Sequence, residues 1–269
     1  MPRFKLTIEY AGARYSGWQI QKNARTIQGE IDRAVRAITR RSDFELYGSG
    51  RTDAGVHALA QVAHLDVVTA LPPETLRRRL NDELPSDINI LAAQAVPHRF
   101  HARHDAIARR YLYQIARRRT AFAKAYVWWV KEPLDCRPMR DAAQSFVGLK
   151  DYESFAAGTT AERETEDHPS TLVLVSGLDV GEQDDLVLIA IEGSHFLWKM
   201  VRRIVGVLAE IGRGRLDASA ATDFLTDGSA GPARLTAPPS GLFLERVYYK
   251  GDRPTQELRA VTPLVAHNE

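Results

Sequence analysis

Apolar residues in this chain recur every second position, then every third or fourth, then every second again, and the progression runs twice. Residues 3–10 alternate as a strand does. Ile27, Ile31, Ala34, Val35 and Ile38 follow the spacing of one helix face, and Thr26 stands where an N-cap belongs. Phe44 to Tyr47 and Gln61 to Val67 read as strands. Pro73 opens a second helix lined by Leu76, Leu80 and Leu84 and stopped by Pro85, and Ile88 to Val96 is extended. The order β-α-β-β-α-β is the split βαβ unit of ferredoxin-like folds.

The second half repeats the order without repeating the sequence. Residues 108–116 alternate, and Arg137 to Val147 reads as a helix with Asp135 near its start. Thr171 to Leu178 and Leu186 to Ile191 read as strands. Leu197, Met200, Val201, Ile204, Val205, Leu208 and Ile211 mark a strongly amphipathic helix ending at Gly212, and Leu242 to Tyr249 is a closing strand. The expected fold is α+β, two ferredoxin-like halves with mostly antiparallel sheets and a central active-site cleft. The halves are expected at 1–105 and 106–250, with a tail over 251–269 and loops over 156–170 and 227–240.

Composition narrows the class. With 44% hydrophobic and 26% charged residues the chain is an ordinary globular protein, which excludes disordered and collagen-like readings. One cysteine, Cys136, permits no internal disulfide and no thiolate zinc cluster. The N-terminus alternates and lacks the apolar core of a signal peptide, and no apolar run approaches the roughly 20 residues that span a bilayer. A cytoplasmic location is expected. The net charge of +2 conceals an asymmetry: residues 1–150 carry a balance of +10, residues 151–200 of −9 and residues 201–269 of +1. The first part is suited to a polyanion.

The most unusual segment is Gly48-Ser49-Gly50-Arg51-Thr52-Asp53-Ala54-Gly55-Val56-His57. Its third glycine falls two positions too late for a dinucleotide fingerprint, and a strand follows instead of a helix. The chain has no Gly-Lys pair, so a P-loop is excluded. There remains a loop between strands that presents Arg51 and Asp53. An aspartate held near a cation stays ionised, available as nucleophile or base; a hairpin aspartate that satisfies backbone N–H groups is the plainer alternative. From Arg99 to Arg119 there are seven arginines and one acid, with His98, His101 and His104 nearby. Within that run Arg109, Tyr111 and Tyr113 share one strand face, a pattern suited to phosphate contact and base stacking, or else to a solvated strand with core tyrosines. The long helix adds His195, Lys199 and Arg202 as a polar stripe. The three histidines of the basic run have no partner cysteines and read as satisfied or exposed rather than metal-binding. No G-x-S-x-G elbow or H-E-x-x-H pair occurs.

Taken in order, these segments resemble the tRNA pseudouridine synthase A family. GSGRTDAGVHA over 48–58 is similar to its catalytic motif. Tyr15 to Gln21, Thr26 to Glu30, Leu84-Pro85, Phe100 to Arg103, Arg109 to Tyr113, Met200 to Arg202 and Ala237 to Leu242 resemble its further signatures. The resemblance implies an isomerase that converts uridines of the tRNA anticodon stem-loop, positions 38, 39 and 40, to pseudouridine. It implies a homodimer with tRNA across both subunits and no metal or organic cofactor. It assigns nucleophile to Asp53, contact with the target base to Tyr111, pairing with the aspartate to Arg202, and displacement of the base to Arg51. One stretch departs from the family. Glu164 to Leu172 carries acids where an arginine is usual, and the acidic segment 151–200 is expected to face solvent away from the nucleic acid. A non-catalytic RNA-binding module is the alternative, since it would keep the basic strand and the cleft.

Overall fold

The computed structural model describes residues 1–157, 170–254 and 257–264. The first alternation becomes β1 (Arg3–Tyr10), whose Phe4, Leu6, Ile8 and Tyr10 are buried. The helical spacing that follows becomes α1 (Ile27–Thr39). Thr26 caps it, its hydroxyl oxygen accepting from the Gly29 N–H at 3.2 Å. Ile27, Ile31 and Val35 face inward, each contributing about 1.5–3 kcal/mol through burial. β2 (Glu45–Gly48) and β3 (His57–Asp66) bracket the glycine-rich segment, followed by α2 (Pro73–Glu83) and β4 (Ile88–Val96).

The second series is β5 (Ala106–Ala116), a two-residue β6 (Trp128–Trp129), α3 (Cys136–Gln144), β7 (Gly148–Asp151), β8 (Leu172–Gln183) and β9 (Leu186–Gly193). Then come α4 (Met200–Gly212), α5 (Ala220–Thr226), α6 (Gly231–Arg234) and β10 (Leu242–Tyr249). Asp135 caps α3 by accepting from the Arg137 N–H at 2.9 Å. The two short strands and the two short helices α5 and α6 have too few residues for a periodicity to show.

The chain divides into two compact units, Met1–Arg109 with Phe243–Pro254, and Arg110–Leu242 with Thr255–Glu269. In the first, the strands run in the order β4-β1-β3-β2, all antiparallel, with β10 added in parallel on β3 where Phe243 faces His57. That is the ferredoxin-like order. A buried bidentate pair, Arg3 Nε and Nη2 on the two Asp66 carboxylate oxygens at 2.7 and 2.6 Å, fixes the register of β1 against β3. In the second unit the order is β5-β9-β8-β7, with β8 antiparallel to both neighbours and β6 parallel to β5. The α+β class and the mostly antiparallel pairing stand as expected. The strand 242–249, grouped by sequence with the second half, lies almost wholly in the first unit. The segment read as a tail is tied to the second: Val261 N–H donates to Gln114 Oε1 at 2.7 Å, and Gln114 Nε2 donates to the Thr262 hydroxyl at 3.0 Å. Among the described residues no helix is long and apolar enough to cross a membrane. Residues 164–169 of the departing stretch lie outside the described residues.

Candidate active site

In the first unit, residues 49–56 join β2 to β3 and carry Arg51, exposed, and Asp53, half-buried. The surrounding chain imposes the conformation of this loop. Ser49 N–H donates to Val62 O at 2.7 Å, and its hydroxyl donates to Gln61 Oε1 at 2.7 Å. The same Gln61 carboxamide, fully buried, donates from Nε2 to Gly50 O at 3.0 Å. Arg109 is buried and gives one Nη2 to Ser49 O and Arg103 O, both at 3.0 Å. The Thr52 hydroxyl shares a hydrogen bond with the Tyr10 hydroxyl at 2.8 Å, and its carbonyl accepts from the Trp18 N–H at 3.1 Å. Val56 N–H closes a turn on Asp53 O at 3.1 Å, and Gly55 N–H donates to Tyr15 O at 3.3 Å. His57 Nδ1 accepts from the Gly12 N–H at 3.0 Å, so the ring carries its proton elsewhere. Each backbone group so paired removes one way for the loop to relax.

The N-terminal signatures explain themselves here. Gly17 has φ +90°, and a Cβ there would stand 2.5 Å from Thr52 O, so only glycine lets this segment back the aspartate loop. Gln28 is buried and bridges Ile20 N–H to Leu46 O, locking the Trp18 segment to the strand that leads into the loop. Tyr15 donates its hydroxyl to Asp87; burial first, and then that bond, push its pKa up to about 12. The turn Phe100 to Arg103 is held likewise, by Arg3 on Phe100 O at 2.6 Å, Ala102 N–H on His64 Nδ1 at 3.1 Å, and the Tyr249 hydroxyl on Ala102 O at 2.6 Å.

In the second unit Tyr111 stands half-buried on β5, edge-on to Phe196 with ring centroids 5.3 Å apart. Arg202 lies in the first turn of α4 and donates from Nε to Ala237 O at 2.7 Å, while Ala237 N–H returns to Arg202 O at 3.0 Å. The neighbouring Pro238 carbonyl accepts from the Tyr113 hydroxyl at 2.7 Å. Two residues thus fix the signature at 237–242 from either side, and Tyr113, wholly buried, is a core residue.

Three sequence readings change. Arg109 and Arg110 are buried rather than presented for phosphate contact. Arg117 and Arg118 pair with Glu182 and Asp185, so the basic run is in good part scaffold. The stripe of His195, Lys199 and Arg202 does not form, because α4 begins at Met200 and Lys199 caps it at φ 61°. His101 Nδ1 accepts from the Arg103 and His104 N–H groups at 3.2 Å, and among the described residues no three His, Cys, Asp or Glu side chains are grouped to hold a metal. The sequence reading missed Gln61 and Tyr10, whose roles come from partners distant in the chain, and gave Gln28 only as part of a signature, without its bonds.

A sequence model of a family described as tRNA pseudouridine synthase matches residues 6–105 and 142–250. The chain belongs to that family. It is 41% identical over 263 residues to the tRNA pseudouridine synthase A of Nitrobacter winogradskyi, covering 96% of this chain and 100% of that one. The protein of the same name from Nitrobacter hamburgensis is 42% identical over 253 residues, and that of Thermoanaerobacter sp. 37% over 251, each with 93% and 100% coverage. The chain is therefore an isomerase that converts uridine to pseudouridine.

Proposed function

We propose that this synthase acts in the cytoplasm as a homodimer on the anticodon stem-loop of tRNA. Its targets are the uridines at positions 38, 39 and 40, with Asp53 as nucleophile and without metal or organic cofactor. The observation that carries this reading is the pinned loop under Asp53. Trp18, Gln61 and Arg109 hold the backbone before the aspartate and Tyr10 holds the Thr52 hydroxyl, Tyr15 O takes the Gly55 N–H after it, and Asp53 itself stays half-exposed. A carboxylate whose position is fixed before substrate arrives suits a reaction in which it must meet one carbon.

The reaction breaks the N1–C1′ glycosidic bond, turns the uracil and joins C5 to C1′; the C5 proton leaves to solvent and N1 takes one up. The carboxylate assists the cleavage or traps the sugar, and Tyr111 meets the base. Arg202 serves as counter-ion to the aspartate. A target in a helical stem must be flipped out at a cost of a few kcal/mol, which contacts to the RNA backbone offset, and Arg51, exposed beside the aspartate, takes the place of the displaced base. The test is release of tritium from C5-labelled uridine in unmodified tRNA. Wild-type protein should release it and Asp53→Ala should not; equal release by both removes the nucleophile from Asp53.

A further inference from the structure

In the second unit residues 117–127 link β5 to β6 and form a loop that the fold holds at several points. The Thr120 hydroxyl oxygen accepts from the Ala123 N–H at 3.2 Å, and Ala123 O accepts from the Tyr126 N–H at 2.8 Å. Gln114 Nε2 donates to Tyr126 O at 2.9 Å, and the Ser240 hydroxyl donates to Val127 O at 3.1 Å. Ala123 is buried in this arrangement, while its neighbours Phe122 and Lys124 are exposed, Phe122 fully at 100%. The strand that follows repeats the division. Trp128 packs edge-on against the core ring of Tyr113 and Val130 is buried, whereas Trp129 and Lys131 are exposed. Arg119, also exposed, lies with its guanidinium 6.0 Å from the centre of the Trp129 ring.

A single apolar side chain in water is ordinary; the company of this one is not. Two exposed rings and three exposed cations share one loop and the strand it feeds, and no acid occurs from Ala106 to Lys131. Glu132, which follows, is engaged by Arg213 and Arg215. Rings for stacking beside cations for phosphate are the make-up of a surface that holds single-stranded nucleic acid. A second copy of the chain fits less well, because an isologous contact through this loop would set like charges against each other. The loop is also distinct from the place given to the target base. From Tyr111 to Ala116 β5 advances about 17 Å at a strand's rise per residue, and Trp129 returns beside Ala116. The loop therefore starts and ends well away from a base held at Tyr111.

We propose that this loop is a second hold on the RNA, in which Phe122 stacks on an unpaired base of the tRNA and Lys124 and Arg119 take the phosphates beside it. The proposal rests on the reading of the chain as a tRNA-modifying enzyme and adds where, apart from the target nucleotide, the tRNA is gripped. Contacts of this kind position a strand without choosing the uridine.

The test is direct titration of unmodified tRNA at several salt concentrations, with steady-state tritium release alongside. Phe122→Ala should weaken binding about tenfold, the scale of one stacked base. KM should rise with it while kcat stays within about twofold, the signature of lost binding. Phe122→Trp should bind as wild type does and Phe122→Leu no better than Phe122→Ala, because stacking needs a ring and not merely apolar area. Lys124→Gln should lower the slope of log affinity against log salt by roughly 0.7 to 0.9, one phosphate's share. Both side chains are exposed, so all these variants should unfold at the wild-type temperature. Wild-type affinity in Phe122→Ala, full recovery in Phe122→Leu, or an unchanged salt slope in Lys124→Gln overturns the proposal. So does sedimentation of Phe122→Ala as a smaller species than wild type, which would make the loop a contact between copies. Because binding is titrated directly, absence of tritium release by wild type would count against the proposed chemistry and not against this hold.

Discussion

The buried guanidinium of Arg109 reaches Ser49 O and Arg103 O at 3.0 Å each, through one nitrogen. A strand residue that reads in sequence as an RNA ligand is thus a brace between the loop of Asp53 and the turn that ends in Arg103. Its other arm, Nη1, donates to Ala106 O at 3.2 Å, so the guanidinium spans three carbonyls from two nitrogens, which a single ammonium nitrogen cannot reproduce.

Arg109→Lys should therefore fail to substitute. Two carbonyls lose a charged donor in a buried setting, and each such bond is worth about 1.5–3 kcal/mol. Thermal unfolding should show a loss of about 2–4 kcal/mol, and tritium release should fall with affinity for tRNA little changed. A lysine variant with wild-type stability and turnover would show that the brace is idle.

Gly17→Ala tests the second support. The position combines φ +90° with a Cβ site 2.5 Å from Thr52 O, so alanine must both adopt a disfavoured backbone and push the aspartate loop. Strain of this kind costs about 1–3 kcal/mol, and the displaced loop should lower kcat more than it raises KM. A variant as stable and as fast as wild type would mean that the loop yields freely.

How much of this was legible beforehand follows from distance along the chain. Caps and helix faces are local, so Thr26, Asp135 and the face of α1 were readable from spacing alone. The identity of the Asp53 segment was readable as a motif, but not what holds it. Gln61, Tyr10 and Arg109 act through partners 11 to 60 residues away, and an isolated glutamine or tyrosine carries no sign of its partner. Arginines misled for a related reason. A run of them looks like a polyanion surface until burial and acids such as Glu182 and Asp185, from the β8–β9 hairpin, show which are occupied at home. The polar stripe failed because αL geometry at Lys199 starts the helix only at Met200, three residues after Leu197, which periodicity does not register.

The two tyrosines of β5 should separate cleanly. Tyr113→Phe removes a buried hydroxyl that donates to Pro238 O at 2.7 Å, leaving that carbonyl unsatisfied. Stability should drop by about 1–3 kcal/mol with little change in kcat at a permissive temperature. Tyr111, half-buried against Phe196, should show the reverse as phenylalanine: normal unfolding and altered turnover. Stability loss in Tyr111→Phe with unchanged turnover would make it a packing residue and remove its place at the base.

His64 gives the fold an acid limit. Its Nδ1 accepts from Ala102 N–H at 3.1 Å, and the ring stacks on Tyr47 at 5.8 Å and meets His101 edge-on at 4.7 Å. Burial chiefly, then the charge of Arg3 and the neighbouring His101, lower its pKa from 6.5 to about 4, with Asp66 opposing. The unfolded chain thus binds a proton at this site before the folded one does, so stability rises with pH. The contribution is complete above pH 6.5 and is lost as pH falls from there to about 4; a shift of this size bounds it at roughly 3 kcal/mol. Unfolding measured from pH 8 to 4 should show that decline in wild type, and His64→Asn, which has no proton to gain, should lose less over the same range. Parallel profiles for the two proteins would assign the acid sensitivity to other groups.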